Sequence, residues 1–215
     1  MGRAESENLD EAFLAGAAVA ADLLRTDPVS GGWTEPSALP EMSVGALACH
    51  LARQVTRVAE LLVTPTTLPV LTSVDEHYAR AAWVTASSLA DPANDRHDDD
   101  AEASLSRAWM LDRLDDDLSR ATRCLRNGSA QEIVPVPWQG WALRRHDFLH
   151  TRLLEIVVHS TDLAVSLTLP PPEFPEPAFA PVRDLLVRLA VRRHGQAAVV
   201  SALTRRERAK NISAF

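Results

Sequence analysis

The stretch FLHTRLLEIVVHSTDLAVSLTL, residues 148–169, decides the fold. It is the longest apolar-rich run in the chain that still carries several ionisable side chains. At about 100° per residue, Phe148, Arg152, Glu155, His159, Asp162 and Ser166 fall in one stripe of a helix. Leu149, Leu153, Leu154, Ile156, Val157, Val158, Leu163 and Leu167 cover nearly all the rest. Such a helix is mostly buried and has one polar seam, which either faces water or turns inward. Glu155 and His159 lie four residues apart, so they leave the same face one above the other and can grip one ion.

Working outward, residues 5–24 read as a first helix, with Leu9, Phe13, Ala17, Ala20 and Leu24 near helical spacing. Residues 32–40 form a loop whose Trp33 folds back on the core. Ser43 caps a second helix through Leu62, faced by Val44, Leu47, Ala48, Leu51, Val55 and Val58, with His50 at the margin of that face. A third helix is expected over residues 73–89. The acidic run DPANDRHDDDAE, residues 91–102, reads as a solvated loop, since it lacks the glycine and terminal glutamate of a calcium loop. Residues 105–125 form a fourth helix, with Leu105, Trp109, Leu111, Leu114, Leu118, Ala121 and Leu125 inward and Asp112, Asp115, Asp116 and Asp117 mostly outward.

Residues 133–141 are extended, and Pro135 and Pro137 argue against a regular central strand. His146 and His150 point away from Glu155 and His159 and are expected to be exposed. Beyond Leu169 a proline-rich linker leads to a helix over residues 182–193 and a short apolar piece, 197–203. The architecture is therefore all-α, a helical bundle over residues 1–169 with a short C-terminal helical extension over 170–215.

A net charge of −7 and a pI near 5.5 disfavour nucleic acid as a partner. No apolar run approaches the ~20 residues of a membrane span, residues 1–8 are polar, and a cytoplasmic location is expected. Cys49 and Cys124 read as small buried apolar residues. Consecutive helical residues point about 100° apart, so Cys49 and His50 cannot easily share one ion. Nucleophile-elbow, phosphate-loop, C-x-x-C and H-E-x-x-H patterns are absent. His50, Glu155 and His159 remain as three candidate ligands for a divalent metal, leaving positions open for water or substrate.

Two segments, SALPEMSVGALACHLARQ (37–54) and LLEIVVHSTDLAVSL (153–167), resemble the signatures of the mycothiol-dependent maleylpyruvate isomerase N-terminal family, within the DinB-like metal-binding superfamily. The resemblance covers about residues 8–169. It implies a four-helix bundle of up-down-down-up topology and a divalent metal, usually zinc, on the positions matching His50, Glu155 and His159. It also implies mycothiol or a similar thiol, a small electrophilic substrate, isomerase or S-transferase chemistry of an actinobacterial type, and by analogy a homodimer. Arg80 and Arg152 are candidates to act on the substrate, and Arg53 and Arg57 to bind the cofactor. The sequence departs from the family where its Gly-Trp is Glu41-Met42, and where the second domain is reduced to residues 170–215. The rival readings are a thiol-independent metal hydrolase and a non-catalytic helical binding protein.

Overall fold

The computed structural model describes residues 3–85 and 97–215. In chain order the elements are α1 (Arg3–Leu24), α2 (Asp27–Gly31), α3 (Val44–Leu61), α4 (Val74–Arg80), α5 (His97–Leu105), α6 (Arg107–Arg126), β1 (Ile133–Val136), β2 (Trp141–Arg144), α7 (Arg145–Ser166), α8 (Glu176–His194) and α9 (Gln196–Thr204). The fold is all-α with one small hairpin, as expected for the DinB-like class. Among the described residues, no helix is long and apolar enough to cross a membrane.

Four long helices form the bundle, and cross-helix pairs fix their directions. Asp10 meets Arg145, and a side chain at Gly16 would meet Leu153, so α1 and α7 run the same way. His50 faces Glu155 while Gln54 binds Arg152, so α3 runs against α7. Glu11 pairs with Arg126 and Arg25 with Asp115, so α6 runs against α1. That is the up-down-down-up order. The core face expected for α1 is buried throughout, and so is that of α3.

Serines begin three of the helices, including Ser106 at a helix expected to start at residue 105. Ser43 accepts from Ala46 N at 3.0 Å, Ser73 from Glu76 N at 3.2 Å and Ser106 from Trp109 N at 3.1 Å. Glu76 reaches back to Thr72 N at 2.8 Å, which closes the first turn of α4.

Trp33 does fold back, and it packs against the first turn of α3. A Cβ built on Gly45 would lie 2.7 Å from the Trp33 ring and 2.8 Å from its carbonyl oxygen, the same oxygen that accepts from Gly45 N. Gly45→Ala would gain about 1 kcal/mol of helix propensity and lose more to that clash, because the backbone oxygen cannot move without breaking the bond. A net loss of about 1–2 kcal/mol is expected, read as a lower denaturant midpoint.

Several expectations need correction. The third helix stops at Arg80, because Ala81 is extended (ψ 117°) and a 3₁₀ turn over Ala82–Thr85 follows. This places Trp83 5.0 Å from Phe215 and 6.0 Å from Tyr78, so aromatic packing overrides local propensity. Residues 86–89 of that expected helix, and 91–96 of the acidic run, lie outside the described residues. From His97 onward the acidic run is helical, with Asp98, Asp99 and Asp100 in its first turn, where negative charge suits the helix dipole. Leu105 is exposed rather than inward, and Met110 is buried in the α6 face. Asp117, expected outside, is buried and accepts from Thr56 at 2.7 Å.

Residues 133–144 form an antiparallel hairpin despite their prolines. Pro135 lies opposite Ala142, whose own N–H and C=O bond the other way, to Pro69 and Leu71. The missing N–H of Pro135 therefore falls where no ladder bond is needed. Gly140 closes the turn in the left-handed conformation (φ 78°). Glu41 also takes positive φ (60°), a conformation uncommon for residues with a side chain.

His150, expected outside, is buried and pairs through Nε2 with Pro181 O at 2.8 Å. Its partner helix α8 begins six residues earlier than expected, with proline tolerated in its first turn. Helix α8 packs on α1 and α7, and Ala178, Val182, Leu185 and Leu189 join the main core.

Candidate metal centre

Helix α7 carries Glu155 and His159 one turn apart, and α3 brings His50 to them. The polar seam therefore faces inward. His159 Nε2 lies 3.2 Å and His50 Nε2 3.9 Å from Glu155 Oε2. The two imidazole rings meet edge to face with centroids 4.7 Å apart. One ligand atom from each residue lies within 4.8 Å of the others. Two bonds of about 2.1 Å at a tetrahedral angle separate their donor atoms by about 3.4 Å, so the spacing suits one ion. The three side chains keep 16–23% exposure, which leaves the group open to small molecules.

The outer nitrogens are also anchored. His50 Nδ1 is 2.9 Å from Asp99 Oδ2, and His159 Nδ1 is 3.0 Å from Asp162 Oδ2. In each ring the carboxylate takes the hydrogen on Nδ1 and orients Nε2 toward Glu155, so that Nε2 is the nitrogen a metal would take in place of its proton. Burial alone would raise the Glu155 carboxyl, but hydrogen bonds from His159 and His50, with the charges of His159 and Arg152, hold it well below the usual range. Burial would lower His159, and its bonds to Asp162 and Glu155 overcome that, raising it to about 9. The donor set thus fits a divalent metal: two neutral-capable imidazoles, one ionised carboxylate, and carboxylates behind both rings.

Cys49 is buried and free. Burial, with the Glu102 and Asp99 charges, pushes its thiol up to about 12, and among the described residues it lies outside the cluster formed by His50, Glu155 and His159.

The four candidate arginines separate clearly. Arg53 is committed to α5, 3.4 Å from Asp98, 3.2 Å from Asp99 and 2.9 Å from Glu102. Its charge lies against Asp99 and Glu102 and draws α5 onto α3. Arg80 is exposed and paired with Glu76 in its own helix. Arg57 and Arg152 come together instead, over Trp138, with guanidinium carbons 4.1 and 5.7 Å from the indole centre. Arg152 is buried and donates to Gln54 Oε1 at 2.6 Å. Neither of the two has a carboxylate partner within ion-pair distance among the described residues, and burial, followed by the Arg152 charge, lowers Arg57 to about 10.

Sequence reasoning missed Asp99 and Trp138. Asp99 carries one signal that could have found it: three aspartates open a segment, AEASL, whose composition favours helix.

Beside the centre, Trp141 Nε1 donates to His77 Nδ1 at 3.1 Å. An indole N–H only donates, so this nitrogen must be unprotonated. Burial, then the Arg152 charge, lowers His77 from 6.5 to about 4. The folded state therefore refuses a proton that the unfolded chain accepts below pH 6.5. The stability it confers is complete above pH 6.5, falls as pH drops toward 4, and changes no further below that, a loss of about 3 kcal/mol in all. Denaturant titrations across this window should show the slope, and His77→Gln should flatten it.

Against known proteins, the family model described as the mycothiol maleylpyruvate isomerase N-terminal domain matches residues 12–164, which contain His50, Glu155 and His159. Neither a curated protein nor a solved structure matches the chain. With the match spanning well over half its length, the chain belongs to the mycothiol maleylpyruvate isomerase N-terminal domain family.

Proposed function

We propose that this protein is a divalent-metal-dependent enzyme, with zinc on His50, Glu155 and His159, that adds mycothiol or a similar small thiol to an electrophile. The observation that carries the reading is the pair of anchored imidazoles, because a merely structural seam has no need for a carboxylate behind each ring. A bound zinc ion would lower the thiol pKa, so that the thiolate predominates at neutral pH. The sulfur then forms a C–S bond to the electrophilic carbon. In an S-transferase the leaving group departs with its electron pair, whereas in an isomerase the thiolate itself departs after rotation about the carbon–carbon bond.

The chain's own residues prepare this step. Asp99 and Asp162 hold the two Nδ1 atoms, so both Nε2 atoms stay aimed inward. Arg57 and Arg152 hold positive charge near Glu155, suited to an anionic end of the substrate. Cys49 stays protonated and does not compete as a thiolate.

The test uses protein loaded with cobalt(II), whose near-ultraviolet spectrum gains a sulfur-to-metal charge-transfer band when a thiolate binds. Mycothiol should raise that band saturably in the wild type and not in His159→Ala. A loaded wild type that shows no band, yet hydrolyses esters or amides without thiol, would establish the hydrolase reading instead.

A further inference from the structure

Two arginines face each other next to the metal ligands without touching them. Arg57 follows His50 along α3 and Arg152 precedes Glu155 along α7, so the antiparallel packing of these helices sets the two side by side. The turn of the β1–β2 hairpin lays Trp138 over both, with the Arg57 and Arg152 guanidinium carbons 4.1 and 5.7 Å from its indole centre. Trp138 itself is 46% exposed, so part of its face is open.

The two cations are held differently, and neither is neutralised. Arg152 is buried, its Nε donates to Thr151 Oγ1 at 3.1 Å and its Nη1 to Gln54 Oε1 at 2.6 Å, which fixes its plane and leaves Nη2 unused. Arg57 is half-buried, makes no hydrogen bond among the described residues and rests on the indole face. None of these unused nitrogens is sealed from solvent, so a small molecule can reach them. Glu155 does not answer the pair. It takes its hydrogen bonds from His159 and His50, and at Arg57 the repulsion by Arg152 outweighs the attraction by Glu155. Cation–π contact accounts for one arginine on an indole. It gives no reason to bring a second, buried and already oriented, against the first, because like charges at close range repel and a buried arginine ordinarily has an anionic partner.

We propose that Arg57 and Arg152, with Trp138 as a flat wall beside them, form a site for one carboxylate that fills without any metal. Arg152 Nη2 and the open fork of Arg57 donate to its two oxygens, and a planar body attached to it lies against the exposed part of the indole. Trp138 acts as a positioning residue, since it is what holds Arg57 in place. In the proposed reaction this is where an acidic group of the electrophile would lodge, and that assignment alone rests on the thiol reading.

The experiment titrates the full chain with benzoate, after dialysis against chelator and exchange into low-salt buffer, and follows the Trp138 indole N–H by proton–nitrogen NMR together with ligand-observed NMR. A saturable shift with a dissociation constant on the order of 1 mM is expected. Neutral benzamide, and Arg57→Gln with benzoate, should each bind roughly tenfold more weakly, through loss of charge-assisted bonds. Trp138→Leu should weaken benzoate several-fold and Trp138→Phe should restore most of the loss, a rescue that a merely structural role for the ring would not give. Thermal unfolding of each variant confirms that it is folded. Absence of a saturable shift, equal binding of benzamide, wild-type affinity in folded Arg57→Gln, or binding that appears only once zinc is added would each overturn the proposal. A missing cobalt–thiolate band would end the thiol reading and leave these constants as they are.

Discussion

Untagged protein is expected to bind close to one equivalent of a divalent ion, and His159→Ala to bind none at the same free metal concentration. The substitution removes one of three ligand atoms and does further damage. His159 stands between Glu155 and Asp162, bonded to both. Without it, two carboxylates lose their shared donor, and Glu155 loses its strongest stabilising contact against burial. Since loss of an outer partner already costs about 10–100-fold in affinity, loss of a ligand should cost at least about 100-fold. Plasma mass spectrometry after dialysis measures it. A wild type that stays empty and takes up no added metal would end the enzymatic reading, leaving a binding bundle. A histidine tag must be absent, because it would contribute its own ligands.

The second large effect is expected at a residue that never touches the ion. Asp99→Asn should weaken metal binding by about 10–100-fold with little change in fold. An ionised aspartate only accepts, so it keeps the hydrogen on His50 Nδ1 and leaves Nε2 free. An asparagine amide can donate to Nδ1, which moves the hydrogen to Nε2 and blocks the ligand atom. Asp98 is the control: its side chain is 83% exposed, and Asp98→Asn should change affinity little. Competition against a chromophoric chelator gives both constants. Equal affinities for the two variants would remove Asp99 from the centre.

Glu155 and His159 were legible in the sequence because their relation is local: any helix through residues 148–169 stacks them on one face. His50 was legible as a candidate once other chemical motifs had been eliminated, and its motif then matched it to Glu155 and His159, since periodicity put it at the margin of a face and said nothing of its partner. Asp99 lay beyond such reasoning. Its place depends on how α5 packs on α3, with Arg53 drawing it in, and an acidic run looks the same in sequence whether one aspartate is buried or none is. The exposed reading of His150 failed for a related reason. Its partner is a backbone oxygen 31 residues away, in a helix whose prolines disguised its start. The hairpin escaped because the objection to Pro135 holds for half of all strand positions, and this proline occupies the other half.

The match to the family ends at residue 164, yet the hydrophobic core continues. Leu185 and Leu189 pack with the bundle, and a buried imidazole on α7 leans on an oxygen of α8. The segment that can be recognised is therefore shorter than the stretch of chain that shares one core, and the longer stretch is expected to melt as a unit. A fragment cut at the motif boundary would keep His50, Glu155 and His159 and lose the helix packed behind α7, and its thermodynamics would not be those of the protein.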